Sequence, residues 1–195
     1  MVRQKHPLWI GLGLLCVFFH IWLIFSGLVP SLIARPIHMA LALPWVFIFL
    51  AKKEIQLYLG ILITVLGVLS CFYIAINEPS LSEQYGFING WEQFLIAGLL
   101  VFITLEMARR TVGWPLPLIT LLFLIYGLMG QNVPGEFGHA GIPVNSFLGT
   151  LIITEGGLWG KLTGASVSIV AVFVIFGAVL NAGEAGQGFM NIAIA

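Results

Sequence analysis

The sequence predicts an all-α, polytopic transmembrane protein of about six spans plus one interfacial or re-entrant segment, on three observations. Hydrophobic residues make up 59% of the 195-residue chain and charged residues only 8%, against roughly a quarter in an ordinary soluble domain. Uncharged apolar runs of helix length recur along the chain. The bases gather between alternate pairs of those runs. Eight glutamates and eight Lys or Arg residues cannot coat a water-facing particle of this size, so the apolar surplus must face lipid.

The first run, Leu8 to Leu28, holds 21 residues without a charge. As a helix it is about 31 Å long, enough to cross the hydrocarbon core. It is too long for a signal-peptide core and has no convincing small-residue cleavage site after it. The second, Pro36 to Ala51, is short, and Pro44 should kink it. The third, Ile55 to Ile76, is clear. The fourth runs from Trp91 to about Ala108. The fifth, Trp114 to Gly130, is entered through Pro115 and Pro117, which a first helical turn tolerates. The sixth is Gly164 to Leu180. Between the last two, Val144 to Thr163 mixes apolar residues with Thr154, Glu155, Lys161 and several glycines. That is too polar for a span and fits an interfacial or re-entrant segment.

The charges orient this layout. Arg3 and Lys5 precede the first run, Lys52 and Lys53 follow the second, and Arg109 and Arg110 follow the fourth. The alternate connections carry Arg35 alone. With a cytoplasmic N-terminus six bases lie inside and one outside, Lys161 being left aside, which satisfies the positive-inside rule. The same pattern requires the short second run to be a true crossing.

Chemistry-bearing constellations are scarce. The chain contains no aspartate. It has no His-x-x-x-His, Cys-x-x-Cys or Glu-x-x-His spacing for a metal, and the stretch Gly183 to Gly188 lacks the Gly-Lys-Ser/Thr ending of a phosphate-binding loop. No enzyme and no cofactor is expected, and no basic run suggests nucleic acid. Cys16 and Cys71 fall in apolar runs and read as small hydrophobes.

A few polar residues merit separate reading. His20 lies inside the first span and needs a partner, most simply an interhelical hydrogen bond. Glu106 precedes Arg109 and Arg110 by three and four residues, the favourable orientation on a helix. This cluster is either an ordinary cytoplasmic helix end or an anchor between modules or to lipid phosphates. Glu92 marks the entry of the fourth span. Glu155 stands beside Gly156 and Gly157, and Gly156, Gly160 and Gly164 recur every four residues. A helical stretch would present a bare face for close packing; a non-helical one would use the glycines for a broken backbone. Asn181 with Gly183 reads first as a helix stop. A discontinuous helix offering carbonyls to a cation is the sharper alternative. The chain closes on an apolar run, Phe189 to Ala195, with no polar terminus, so a continuing partner surface is expected.

From about Leu105 the chain resembles a known family. The stretch from Leu105 to Pro117 (Leu-Glu-Met-Ala-Arg-Arg-Thr-Val-Gly-Trp-Pro-Leu-Pro) is similar to the junction of fused permeases of the tripartite ATP-independent periplasmic (TRAP) transporters, in the TAXI-type subgroup. Thr154 to Gly160 and Phe176 to Phe189 are similar to the next two landmarks. The family often has a proline-leucine pair after the glycine cluster, where Lys161-Leu162-Thr163-Gly164 stands here. The resemblance implies a four-helix small-subunit module over residues 1–110 and the beginning of the large subunit over 111–195. It implies a multi-pass protein of the bacterial inner membrane, importing organic anions with sodium as coupling ion. Its partners would be a periplasmic solute-binding protein and the remainder of the large subunit, without which this chain would be inactive. Glu155, Gly156, Gly157 and Asn181 match family landmarks, without an ion or solute ligand being carried over. The competing expectation is an accessory or scaffold membrane protein that transports nothing.

Overall fold

The computed structural model describes residues 6–194, less the side chains of residues 185, 187, 189, 190 and 193. Arg3 and Lys5, two of the bases that orient the chain, lie outside the described residues, as does Ala195. Among the described residues no strand forms, and six helical stretches are long and apolar enough to cross a membrane. These are α1 (Pro7–Phe25), α2 (Ser31–Pro44, continued to Phe49), α3 (Glu54–Ile76), α5 (Gly90–Thr111), α6 (Pro115–Met129, tightened to Asn132), and the joined α8 (Lys161–Ala165) and α9 (Ala171–Ala182). Short helices α4 (Glu78–Ser82), α7 (Val144–Ile152) and α10 (Ala185–Ile194) complete the order. The shortest of the six, 18 residues, is about 27 Å long and still reaches across a hydrocarbon core.

The second span corrects the sequence reading. It starts at Ser31, not Pro36, with Pro30 in the N-cap position. Arg35 is therefore a helical residue and not part of a connection, and Pro36 sits buried inside the helix. Pro36 is the sixth residue of the helix, past the first turn, so the Leu32 carbonyl goes without its usual helical N–H donor there. The irregularity expected at Pro44 takes a definite form. The helix widens into a π turn over Trp45–Phe49, and the Leu50 N–H reaches back to the Trp45 carbonyl at 3.3 Å. The sixth span also carries a π turn, over Ser166–Val170.

Packing divides the chain into two compact units, residues 30–161 and residues 1–29 with 162–195. This partition concerns contacts and differs in kind from the subunit boundary expected near residue 110. In the larger unit two glycines set the register. A Cβ on Gly60 would fall on the Phe47 carbonyl. A Cβ on Gly67 would stand 2.6 Å from Leu43 Cδ1 and 3.1 Å from Ile103 Cδ1. So α2 and α3 form an antiparallel hairpin, and α5 runs beside them in the direction of α2. Leu43, Phe47, Cys71, Ile74, Ala97, Leu100 and Ile103 are fully buried between them. One end of this bundle gathers residues 47–54 and 106–114; the other gathers 30–35 and 77–90.

The 144–163 stretch is helical only over α7 and again from Lys161. Residues 153–160 are turns, so the glycines at 156 and 160 do not form a helical face. The Ile88 N–H donates to the Asn145 carbonyl at 3.3 Å, and Gly149 lies against the Gly86 carbonyl. Phe147 Cε2 would stand 2.8 Å from a Cβ on Gly127, near the end of α6. A nine-residue helix is about 13 Å long and cannot span. These contacts put α7 against the 77–90 end of the bundle and the end of α6, as a cap.

In the smaller unit, α1 packs along α9 and the π turn of the sixth span. His20 is the buried residue of α1, and its Nδ1 lies 2.7 Å from the Cys16 carbonyl in its own helix. The remaining large side chains of α1 and α9 are mostly exposed, as lipid-facing helices require.

Candidate functional site

Each end of the 30–161 unit is built around arginine. At the first, Glu106 in the last turns of α5 accepts from both following arginines. Arg109 Nε and Nη2 lie 2.6 and 2.7 Å from its two oxygens, and Arg110 Nε lies at 2.8 Å. The fork thus carries two guanidiniums on one carboxylate. Its spacing of three and four residues brings all three groups onto one helical face. Arg110 also leaves its own helix. It lies over the Phe47 ring, 4.8 Å from the centroid, and its Nη1 donates to the Phe47 carbonyl at 3.4 Å. That carbonyl belongs to the π turn closing α2, where final carbonyls lack intrahelical donors. Arg109 lies 5.2 Å from the ring centroid of Trp114. Both stackings are cation–π contacts.

At the other end Arg35 holds the turn after α7. Its Nη1 donates to the Trp159 carbonyl and lies 3.7 Å from Glu155 Oε2. The turn itself folds back over the open end of α7. The Ile153 N–H donates to the Gly149 carbonyl at 2.9 Å, the Leu158 N–H to Leu151 at 2.8 Å, and Trp159 Nε1 to Ile152 at 2.6 Å. These bonds occupy carbonyls that a helix C-terminus leaves orphaned. Gly157 permits the fold-back, because a Cβ there would meet the Leu151 backbone. Gly156 is exposed, and its N–H donates to Thr154 Oγ1 at 3.0 Å. Trp159 is fully buried.

The sequence candidates therefore fall into three places. Glu106, Arg109 and Arg110 meet each other, as their spacing predicts. Glu155, Gly156 and Gly157 share the capping turn, and Glu155 is paired with a base. Asn181 stands apart, exposed in the last turn of α9. Its carbonyl accepts from the Glu184 N–H at 3.3 Å, Glu184 adopts a left-handed φ of 52°, and α10 starts one residue later. The chain thus makes a helix stop there and resumes. Glu92 is exposed at the start of α5; its neighbour Gln93 is buried and accepts from the Asn89 N–H at 2.8 Å, capping that helix. Among the described residues no group of three or more His, Cys, Asp or Glu side chains could hold a metal ion.

Two anchoring residues carried no sequence signal. Arg35 looked like a loop base, and its partners lie 120 and 124 residues away. His139 belongs to the connection after α6. Its Nε2 lies 3.2 Å from the Tyr126 carbonyl, its Nδ1 accepts from the Gly141 N–H at 3.1 Å, and the Tyr126 hydroxyl donates to the Phe137 carbonyl at 2.6 Å. The loop is thereby folded onto the end of α6.

Comparison with known proteins bears on the second half of the chain. Residues 99–195 match the family model of the tripartite ATP-independent periplasmic transporter, DctM component. The match opens inside α5, so the Glu106 fork, the α7 cap and the sixth span all lie within it. It supports a TRAP transporter permease, a membrane-embedded transporter component that works with a periplasmic binding protein. No curated protein and no solved structure matches the chain.

Proposed function

With the matched half of the chain as premise, we propose that this protein is part of a fused, TAXI-type TRAP permease. Residues 1 to about 110 serve as the small-subunit module, and residues from about 111 open the large subunit. The observation that carries the reading is the family match over 99–195, laid on helices of membrane-crossing length. The permease imports organic anions delivered by a periplasmic solute-binding protein and draws on a sodium gradient. It sits in the bacterial inner membrane with a cytoplasmic N-terminus, so the Glu106 end faces the cytosol and the Arg35 end the periplasm. If α7 caps and does not cross, the six spans return the residues after Ala182 to the cytosol.

Within that reading the described residues serve architecture. Arg35, Glu155 and Trp159 fix the opening segment of the large-subunit part onto α2. Arg110 fixes the end of α5 onto the same helix. One compact unit then spans the expected subunit boundary, which suits the stationary part of a transporter. Solute and sodium are handled by the rest of the large subunit.

The test is reconstitution. Proteoliposomes holding this chain, the remaining large-subunit polypeptide and the binding protein are expected to take up labelled carboxylate only under an inward sodium gradient. Vesicles holding this chain alone should take up none. Equal uptake without sodium would discard the coupling. Cysteines placed at Gly90 and Lys53 should react with an impermeant thiol reagent from opposite sides of the membrane.

A further inference from the structure

The Glu106 end of the 30–161 unit bears more positive charge than its own carboxylates answer. Arg109 and Arg110 share the single carboxylate of Glu106. Just past Phe47, on which Arg110 stacks, Lys52 and Lys53 project exposed from the turn between α2 and α3. Glu54, the first residue of α3, is the second acid at this end. Four bases therefore face two carboxylates around one helix end. The aromatic rings of Phe47 and Trp114 stand under the guanidiniums, and Trp114 itself is 61% exposed. Beside this cluster run the exposed apolar flanks of α3 and α6, including Tyr58, Leu59, Leu62, Leu118 and Ile119.

We infer that this end binds an anionic phospholipid, its phosphate held by the lysine pair and the outward edges of the two guanidiniums, its acyl chains lying along α3 and α6. Three features favour a lipid over a soluble anion. The charge sits where membrane-length helices end, so a headgroup is already at that height. Acyl chains have an apolar wall to cover. An exposed tryptophan belongs at the boundary between headgroups and hydrocarbon. Arginine suits the phosphate because its planar fork can donate to further oxygens while one edge stays on Glu106. The inference needs only membrane embedding and holds whether or not the chain transports.

The experiment is native mass spectrometry of the full chain released from detergent, titrated with phosphatidylglycerol or with phosphatidylcholine of the same acyl composition. The wild type should retain phosphatidylglycerol selectively. The double variant Lys52→Gln/Lys53→Gln should retain it more weakly by about fivefold for each lysine removed, with phosphatidylcholine unaffected. Lys161→Gln, which removes an exposed charge from outside the cluster, should leave retention unchanged. Equal retention of the two lipids by the wild type would overturn the inference without recourse to any variant. So would a double variant that holds phosphatidylglycerol as tightly as the wild type, or a loss as large in Lys161→Gln. Displacement of the lipid by millimolar inorganic phosphate would also overturn it, in favour of a soluble-anion site.

Discussion

Arg110 and Arg35 perform one task at opposite ends of the 30–161 unit, and the contrast between them is instructive. Each donates to a backbone carbonyl of a different element: Arg110 to Phe47 in the π turn of α2, Arg35 to Trp159 in the turn after α7. Each is half-buried and paired with a glutamate. Arg110 finds its glutamate one helical turn away, on its own helix. Arg35 finds its glutamate and its carbonyl more than a hundred residues downstream. The Arg110–Glu106 pair is therefore in place once α5 forms, and only the Phe47 contact waits for α2. The Arg35 arrangement exists only after the whole unit has closed, so it reports on tertiary packing directly.

The sharpest way to break this comparison is Trp159→Ala. Trp159 is fully buried and its Nε1 caps Ile152, so truncation opens a cavity and leaves a helix-end carbonyl unpartnered. A cost of about 3–5 kcal/mol is expected, read as a lowered unfolding midpoint of the detergent-solubilised chain. Next come two matched glycines. Gly149→Val at the α7 end and Gly60→Val at the other each place a Cβ on a backbone carbonyl, of Gly86 and of Phe47 respectively. Backbone cannot rotate aside as a side chain can, so each should cost about 1–3 kcal/mol or more. Separation of α7 from the bundle, followed by proteolysis within residues 153–160, is expected for Gly149→Val only.

How legible each end was follows from distance along the chain. The six spans were readable because hydrophobicity is a local property, and the Glu106 fork because a helix converts spacing into proximity. The start of α2 was misplaced because Arg35 resembles a loop charge; only the carbonyl of Trp159 and the carboxylate of Glu155 make its place in a helix tolerable. The segment after residue 144 could be read as polar and glycine-rich, and hence as not a span. That Gly149 and Gly157 admit backbone, and that the segment caps the 77–90 connection, depends on partners that no local pattern names. His139 was silent for the same reason, since both its nitrogens bond backbone groups.

Smaller changes sharpen the comparison further. Arg35→Met keeps much of the apolar stem and removes both polar contacts, leaving the Trp159 carbonyl without its donor, at a cost of about 2 kcal/mol. Arg35→Lys should recover part of that, because one ammonium can still reach the carbonyl. Glu106→Gln loosens a fork in which Arg109 is 35% and Arg110 16% exposed. Solvent and the intact Phe47 contact limit the loss to about 1 kcal/mol. A double-mutant cycle of Glu106→Gln with Arg110→Gln should show coupling.

Glu155→Gln is the smallest and most discriminating change. The carboxylate is 66% exposed and stands 3.7 Å from Arg35, outside good hydrogen-bond range, so the ion pair is largely screened by water and salt. If the clamp works through the Trp159 carbonyl, this variant should lose no more than about 0.5 kcal/mol, and its unfolding midpoint should shift little with ionic strength. A loss comparable to that of Arg35→Met, abolished by salt, would mean that Arg35 is held by charge and not by the backbone it caps. The two ends of the unit would then differ in chemistry as well as in sequence separation, because at the Glu106 end it is the short, multiply bonded carboxylate that positions the arginine.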